Sequence, residues 1–403
     1  MLYIPALILA FLITICYKYR SHAPGAHPRP DLKEPKGAIP LLGHLLVLVS
    51  YPGAKLYDFF EKQNKELGPV WSISLPFFGR LIQGDEPKII EHVLKTNFPN
   101  YIKGEMLTDL LEDIIGKEWR VLRKLIVQIF NIKAFREYTS DVFVIQGKKV
   151  IDYLGKAADE GFIVDIHGLM HLYTLDSFSV VMCGQSFGCL NNVAQKPPLA
   201  AAIDRLLAAA ASRMLDPTQR IRERLTGASK TIAEDRALIK QFFRDIGGYD
   251  TTAQGLSWMY YLIFRDGADK NIAKELIQEV DEVLQGVDPT YTTHRQQKFS
   301  EACFYEALRM FPSDANEYKP SRWMNTEKPS QYKFPSFNAG PRSCPGQQFS
   351  TIQAMTIIGM IFQSFEMELI HPSKTPAYGM SMTLPMANGL AVRIHRRAVS
   401  RAN

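Results

Sequence analysis

The chain is poor in cysteine. Its five, Cys16, Cys183, Cys189, Cys303 and Cys344, are scattered over 403 residues and form no CxxC pair, which argues against a disulfide scaffold or a paired-cysteine zinc site and fits a reducing compartment. It also lacks a strong charge of either sign. The 47 Lys+Arg and 41 Asp+Glu leave a formal net charge of +6 with no long basic run, so nucleic acid is not an expected partner. No internal repeat or low-complexity tract occurs beyond the alanines at 200–202 and 208–211. Hydrophobic residues at 46% and charged residues at 22% exclude a wholly disordered or collagen-like chain and leave ample apolar material for a core. By length alone, two to three average domains or one large one are expected.

One long uncharged run is present, LYIPALILAFLITICY at 2–17, followed by Lys18, Tyr19 and Arg20 with no small-residue cleavage site. It reads as an anchor rather than a removable signal. Its sixteen residues would rise about 24 Å as a helix, short of a hydrocarbon core of about 30 Å, so snorkelling, thinning or partial insertion must make up the difference. A buried N-terminal helix is the plainer alternative. Positive charge after the run favours a cytosolic body. Residues 21–45 then carry Pro24, Pro28, Pro30, Pro35 and Pro40 with Gly25 and Gly37, and predict an extended spacer. VWSISL (70–75) and RLIQG (80–84) predict a β-hairpin, and Asp85-Glu86-Pro87 opens a helix to about Lys95. Further helices are predicted at 117–130, 163–183, 197–213, 230–265, 270–285, 299–311 and 347–366, with a short β section near 375–395.

The chemistry concentrates in Phe337-Asn338-Ala339-Gly340-Pro341-Arg342-Ser343-Cys344-Pro345-Gly346, which presents one cysteine just ahead of an apolar helix. A helix N-terminus and nearby Arg342 would both stabilise a thiolate suited to binding iron. Gly340 and Gly346 would let the backbone pass close beneath a flat cofactor. A lone cysteine is more often a small core residue; the spacing FxxGxRxCxG is much more specific. That string resembles the haem-binding loop of the cytochrome P-450 monooxygenases, and other motifs follow in the order of that family.

The resemblance implies a mainly α fold with a small β section. It also implies an N-terminal membrane anchor at 1–20, a Pro-rich linker at 21–45 and one haem-thiolate domain at 46–403. Cys344 would be the axial iron ligand, a donor that favours O–O cleavage. Glu306 and Arg309, three apart in Tyr305-Glu306-Ala307-Leu308-Arg309, would be joined by Arg322 of Pro320-Ser321-Arg322-Trp323 in a structural triad. By itself such a pair reads as an ordinary surface contact. Gly247 and Gly248, each costing about 1 kcal/mol against alanine inside a helix, would admit O2, with Asp250 and Thr251 relaying protons; a small-residue helix contact is the alternative. Trp119 and Arg123 would bind one haem propionate and Arg342 the other, although Arg120, Arg123 and Lys124 also read as a solvated basic face or a docking patch for an acidic electron donor. Electrons would come from NADPH through a membrane-bound flavoprotein reductase. Oxygen would enter a C–H bond of a small apolar substrate, with the body on the cytosolic side of the endoplasmic reticulum membrane. Fatty-acid and alkane hydroxylase branches are closest in wording, in FNAGPRSCPGQ, GGYDTTA and MTLPMANGL; sterol or xenobiotic oxidation is second within the class.

The chain departs from that family pattern by being short. Only twelve residues separate Arg309 from Arg322, where the family places several dozen, RALIKQFFRDIGG runs into the oxygen helix without the usual preceding helix and loop, and the LLEDIIGKEW stretch at 110–119 is shorter than that pattern expects. Internal deletions are the expected cause. On that reading Arg322 would fail to reach Glu306, one wall of the substrate pocket would be missing, and a catalytically incompetent, membrane-anchored relative becomes the competing hypothesis. A soluble protein with a structural Cys344 is the third.

Overall fold

A computed structural model describes residues 3–20, 22–51, 55–76, 78–102, 128, 133–193, 197–215, 219–242, 250–310, 317–324, 329–379, 381 and 383–398. The N-terminal run forms α1 (Tyr3–Lys18). Among the described residues no helix is long and apolar enough to cross a membrane. A first small layer holds α2 (Leu45–Val49), α3 (Lys55–Leu67), the antiparallel hairpin β1 (Val70–Leu75) and β2 (Gly79–Gly84), and α4 (Pro87–Glu91). α4 continues as one π-helical turn, His92–Thr96. Trp71, Ile73, Leu75 and Phe59 form its separate core.

The predicted spacer is not free. Lys33 O accepts from Ser72 N at 2.9 Å, His27 O from Arg80 Nε at 2.8 Å, and Glu34 pairs with Arg80. The linker therefore lies on the hairpin, because its carbonyls find donors there that the prolines cannot supply.

The main body begins with α5 (Lys133–Glu160), the strand β3 (Val164–Asp165) and α6 (Ile166–Cys183). α5 is absent from the sequence-based expectation. Its buried face mixes Val142, Phe143, Val150 and Leu154 with Thr139, Ser140 and Gln146, and those polar residues break the apolar period. The body continues with α7 (Pro198–Leu215), α8 (Gln219–Leu225), α9 (Ala228–Phe242), α10 (Asp250–Phe264), α11 (Lys270–Leu284), α12 (Tyr291–His294) and α13 (Lys298–Met310). The helix expected over 230–265 is helical at both ends; its middle, with Gly247 and Gly248, lies outside the described residues, as does the expected helix 117–130.

Local chemistry sets the boundaries. Asp165 caps α6 by accepting from His167 N, and Gly184 ends it in the left-handed region; Asp269 caps α11 and Thr290 and Thr293 form a capping box on α12, each satisfying otherwise orphaned amides. Ile272, Leu276, Val280 and Leu284 recur every fourth residue on the buried face of α11. α14 (Gln347–Ser364) is buried almost all round, and α5, α11, α13 and α10 surround it. Phe362 on α14 stacks on Tyr260 and Phe264 of α10. β4 (Phe365–Leu369) and β5 (Ala391–Arg396) close an antiparallel sheet of order β3-β5-β4, with Phe365 opposite Arg396 and Leu369 opposite Val392. The expected β section at 375–395 is thus split, with β4 earlier and β5 at the end.

His294 is buried beside α14, its Nε2 2.8 Å from Thr356 Oγ1, and burial pushes its pKa down from 6.5 to about 4. The unfolded chain takes up this proton below about pH 6.5, whereas the folded chain refuses it until about pH 4. The contribution to stability is therefore complete above pH 6.5 and is lost as pH falls toward 4, by up to about 3 kcal/mol. Urea unfolding should show the midpoint dropping across that window, and His294→Gln should flatten the drop.

Candidate functional site

The cysteine loop has an irregular backbone. Pro335–Phe337 and Gly340–Arg342 are single 3-10 turns, and Asn338 and Gly340 have φ of 57°. A Cβ at Gly340 would collide with the carbonyl oxygen of Leu94, so only glycine fits there. Cys344 N donates to Phe337 O at 2.7 Å, folding the loop back on itself. The Cys344 thiol is exposed, three residues before α14 begins. A Cβ at Gly346 would sit 3.8 Å from Sγ. Arg342 is turned away from that role: its Nη2 donates to Tyr101 O at 2.6 Å and its guanidinium lies 5.1 Å from the Phe98 ring centroid.

Behind the loop lies Glu306, fully buried on α13. Arg309 grips it with two bonds, Nε to Oε2 at 2.8 Å and Nη2 to Oε1 at 2.7 Å. Glu306 in turn raises the Arg309 pKa. Lys319 N donates to Oε1 at 3.0 Å, Trp323 Nε1 to Oε2 at 2.9 Å, and Arg322 Nε lies 3.4 Å from Oε1. The expectation that Arg322 cannot reach Glu306 is therefore corrected: the 3-10 turn Pro320–Trp323 packs on α13 and brings the guanidinium in. Trp323 is the partner that the sequence reading missed, and the tryptophan beside Arg322 was its only signal. Its ring meets Tyr305 and Phe334 at 5.6 and 4.8 Å, and Tyr305 meets Phe337 at 6.0 Å. An aromatic cluster thus joins the buried carboxylate to the residue whose carbonyl holds Cys344.

Asp250 opens α10 and is buried. Its Oδ2 accepts from Thr383 Oγ1 at 2.5 Å, its Oδ1 from Gln254 Nε2 at 3.2 Å, and His171 Nδ1 is 3.5 Å away. Thr251 is exposed, whereas the following Thr252 is buried and bonds Ser350 Oγ of α14 at 3.1 Å. Asp250 lines a cavity of about 600 Å³ with His167, His171, Asp165, Gln254 and the 385–389 loop. Cys344 is not among the lining residues. Histidines 167 and 171, four apart on one face of α6, also escaped the sequence reading. Trp119, Arg123, Gly247 and Gly248 lie outside the described residues.

The donor set at the loop suits an iron-bound thiolate: a single accessible thiol ahead of an 18-residue helix. No group of three or more His, Cys, Asp or Glu that could hold a metal ion occurs among the described residues, so no competing metal cluster is found there.

Comparison with known proteins follows the same residues. The sequence model of the family "Cytochrome P450" matches residues 33–246, 231–313 and 311–389. The chain is 25% identical over 501 positions to "Cytochrome P450 monooxygenase cyp1" of Mycosarcoma maydis, covering 94% of this chain and 78% of that protein. It is 25% identical over 504 positions to "Cytochrome P450 94B3" of Arabidopsis thaliana, covering 97% of each. Since 504 aligned positions exceed 403 residues, about a hundred positions of the relative have no counterpart here. The family match restarts near 231–246 and 311–313, two of the three places where the sequence itself looks shortened; it runs through the third, 110–119, without a restart.

Removing the buried carboxylate in Glu306→Ala should cost about 3–5 kcal/mol in denaturant unfolding, because Arg309 and Trp323 lose their acceptor. Arg322→Ala, at a half-exposed guanidinium, should cost about 1 kcal/mol or less.

Proposed function

The chain belongs to the cytochrome P450 family of haem-thiolate monooxygenases, and from that premise we propose that it inserts one atom of O2 into a C–H bond of an apolar substrate, a fatty acid or an alkane. The observation that carries the proposal is the exposed Cys344 in front of α14, its backbone N–H donating to Phe337 O. Cys344 would hold the iron, with Phe337, Gly340 and Gly346 shaping the loop beneath the macrocycle. Trp119, Arg123 and Arg342 would take its propionates, and Arg342 would exchange the Tyr101 carbonyl for a carboxylate, a better acceptor for a guanidinium fork. When bound, the haem supplies the electron-transfer and O2-cleaving chemistry.

The chain's own part is binding, orientation and proton supply. Asp250, hydrogen-bonded to Thr383 and Gln254 and near His171 Nδ1, would hold and pass protons at its carboxylate oxygens, with Thr251 as the outer hydroxyl. Gly247 and Gly248 would give O2 room. Glu306, Arg309 and Arg322 fix the wall behind the loop and take no part in the chemistry. A fatty acid or alkane is favoured by the wording of the loop and of the 382–390 segment, and suits a site beside a bilayer. α1 would anchor the chain in the endoplasmic reticulum membrane by partial insertion, with its body cytosolic and served by an NADPH-dependent flavoprotein reductase.

A second reading has a specific observation behind it. About a hundred positions are missing relative to "Cytochrome P450 94B3", and the cavity beside Asp250 is not lined by Cys344. On that reading the protein is a catalytically incompetent, membrane-anchored relative. Reduction under carbon monoxide separates the two. A red-shifted Soret band of thiolate-ligated haem that disappears in Cys344→Ser supports the enzyme. No such band, or a band that survives the substitution, rejects it. Given an intact band, incubation with long-chain fatty acids and alkanes should yield hydroxylated products, and their absence rejects the lipid assignment.

A further inference from the structure

One buried acceptor is left over beside Asp250. Gln254, one turn further along α10, is 5% exposed, and its Oε1 is buried with no hydrogen-bond donor. An orphaned buried acceptor is costly and calls for a donor in some state of the protein. The other end of the same amide is fully used. Its Nε2 lies 3.2 Å from Asp250 Oδ1 and 3.2 Å from His171 Nε2, and His171 Nδ1 lies 3.5 Å from the same Oδ1. An amide nitrogen only donates, so these partners assign His171 as the neutral ring with its proton on Nδ1, facing an ionised Asp250. His167, one turn earlier on α6, is fixed. Ser257 Oγ spends its proton on Ala253 O at 2.7 Å and therefore accepts from His167 Nδ1 at 3.1 Å. The two imidazoles meet edge to face with centroids 4.5 Å apart, which holds the His171 ring in place.

We propose that His171 carries protons from the cavity to Asp250, with the Gln254 amide as its gate. A proton from cavity water adds at His171 Nε2, the amide turns over so that the orphaned Oε1 accepts the new Nε2–H, and Nδ1 releases its proton to Asp250 Oδ1. One proton enters at Nε2 and one leaves at Nδ1, the ring stays neutral, and Asp250 becomes the neutral acid. The turned amide also sets Oε1 beside Oδ1, a contact between two acceptors unless Asp250 carries a proton, so the gate and the transfer move together. Once Asp250 has passed its proton on, exchange with cavity water returns the ring proton to Nδ1 and the amide turns back. The supply side fits. His171 lines the cavity with His167, Tyr153, Asp165, Asp204 and Asp250, and no Lys or Arg is among its described lining residues, so the field of the wall favours protons. His171 and Gln254 act through Asp250 as positioning residues, and their use in O2 chemistry rests on Asp250 being the proton source of the proposed monooxygenase.

The test is nitrogen NMR of the full chain in mild detergent with isotope-labelled histidine, the His171 signals being assigned by their loss in His171→Gln. As pH is lowered, the wild type should exchange the Nδ1–H form of His171 for the Nε2–H form, and Asp250→Asn, which cannot take the proton, should abolish the exchange. Gln254→Leu, with no acceptor to offer, should move it down by about one pH unit or more, a tenfold rise in proton concentration. Gln254→Glu, an acceptor in either orientation, should hold the Nε2–H form where the wild type still shows Nδ1–H. Direct passage to an imidazolium with both nitrogens protonated, an exchange that survives Asp250→Asn, or indifference to both Gln254 substitutions overturns the proposal. Should Asp250→Asn fold poorly, the wild type and the two Gln254 variants decide. With the Soret band of thiolate-ligated haem intact, His171→Gln should slow product formation at least tenfold and flatten its pH profile; an unchanged rate and profile overturns the relay. A wild type without that band or without product rejects the enzyme reading, and the nitrogen spectra then decide the relay alone.

Discussion

One buried carboxylate organises the region around the cysteine. Glu306 is fully enclosed on α13, and a charge taken from water is tolerated only where donors replace the lost hydration. Five donors approach it: two from Arg309, one each from Lys319 N, Trp323 Nε1 and the more distant Arg322. Satisfying that requirement fixes where residues 317–323 lie. It also sets the Trp323 ring against Tyr305 and Phe334, and through Tyr305 against Phe337. Phe337 then receives the amide of Cys344. Electrostatics at the centre is thereby converted into packing at the rim, and packing into the position of one thiol.

This explains how a chain about a hundred positions shorter than a relative it spans end to end keeps the loop geometry. The twelve residues from Arg309 to Arg322 suffice because the demands are local: Lys319 and Trp323 need only to reach one face of α13. The substrate side is different. Asp250 looks onto a cavity with His167, His171 and Asp165, while Thr252 is joined to Ser350 on α14. No buried charge obliges that cavity to include the thiol.

Much of the helical layout was legible because it rests on short-range rules. α11 shows its every-fourth-residue apolar period over the expected 270–285, and Asp165 and Asp269 cap α6 and α11 within three residues of their expected starts, whereas the four-residue α12 capped by Thr290 was not expected. The hairpin 70–75/80–84 was legible from the alternation in its two strands. α5 was not, since Thr139, Ser140 and Gln146 are buried on its packed face and read as exposed when only neighbours in sequence are considered. The linker misled for a related reason: its prolines forbid a helix but leave carbonyls that Ser72 and Arg80 can reach.

For the site, sequence alone determined the residue types: a cysteine in a Gly- and Pro-rich loop, a Glu and an Arg three apart, an Arg-Trp pair, an Asp-Thr pair. Such spacing is local information, fixed by the chain itself. Tertiary structure decided which of those residues meet. It joined Arg322 and Trp323 to Glu306, gave Asp250 to Thr383 from the distant C-terminal loop, and turned Arg342 toward Tyr101. Those pairings follow from how buried polar groups find donors across the fold, and no pattern along the chain encodes the distance between two segments.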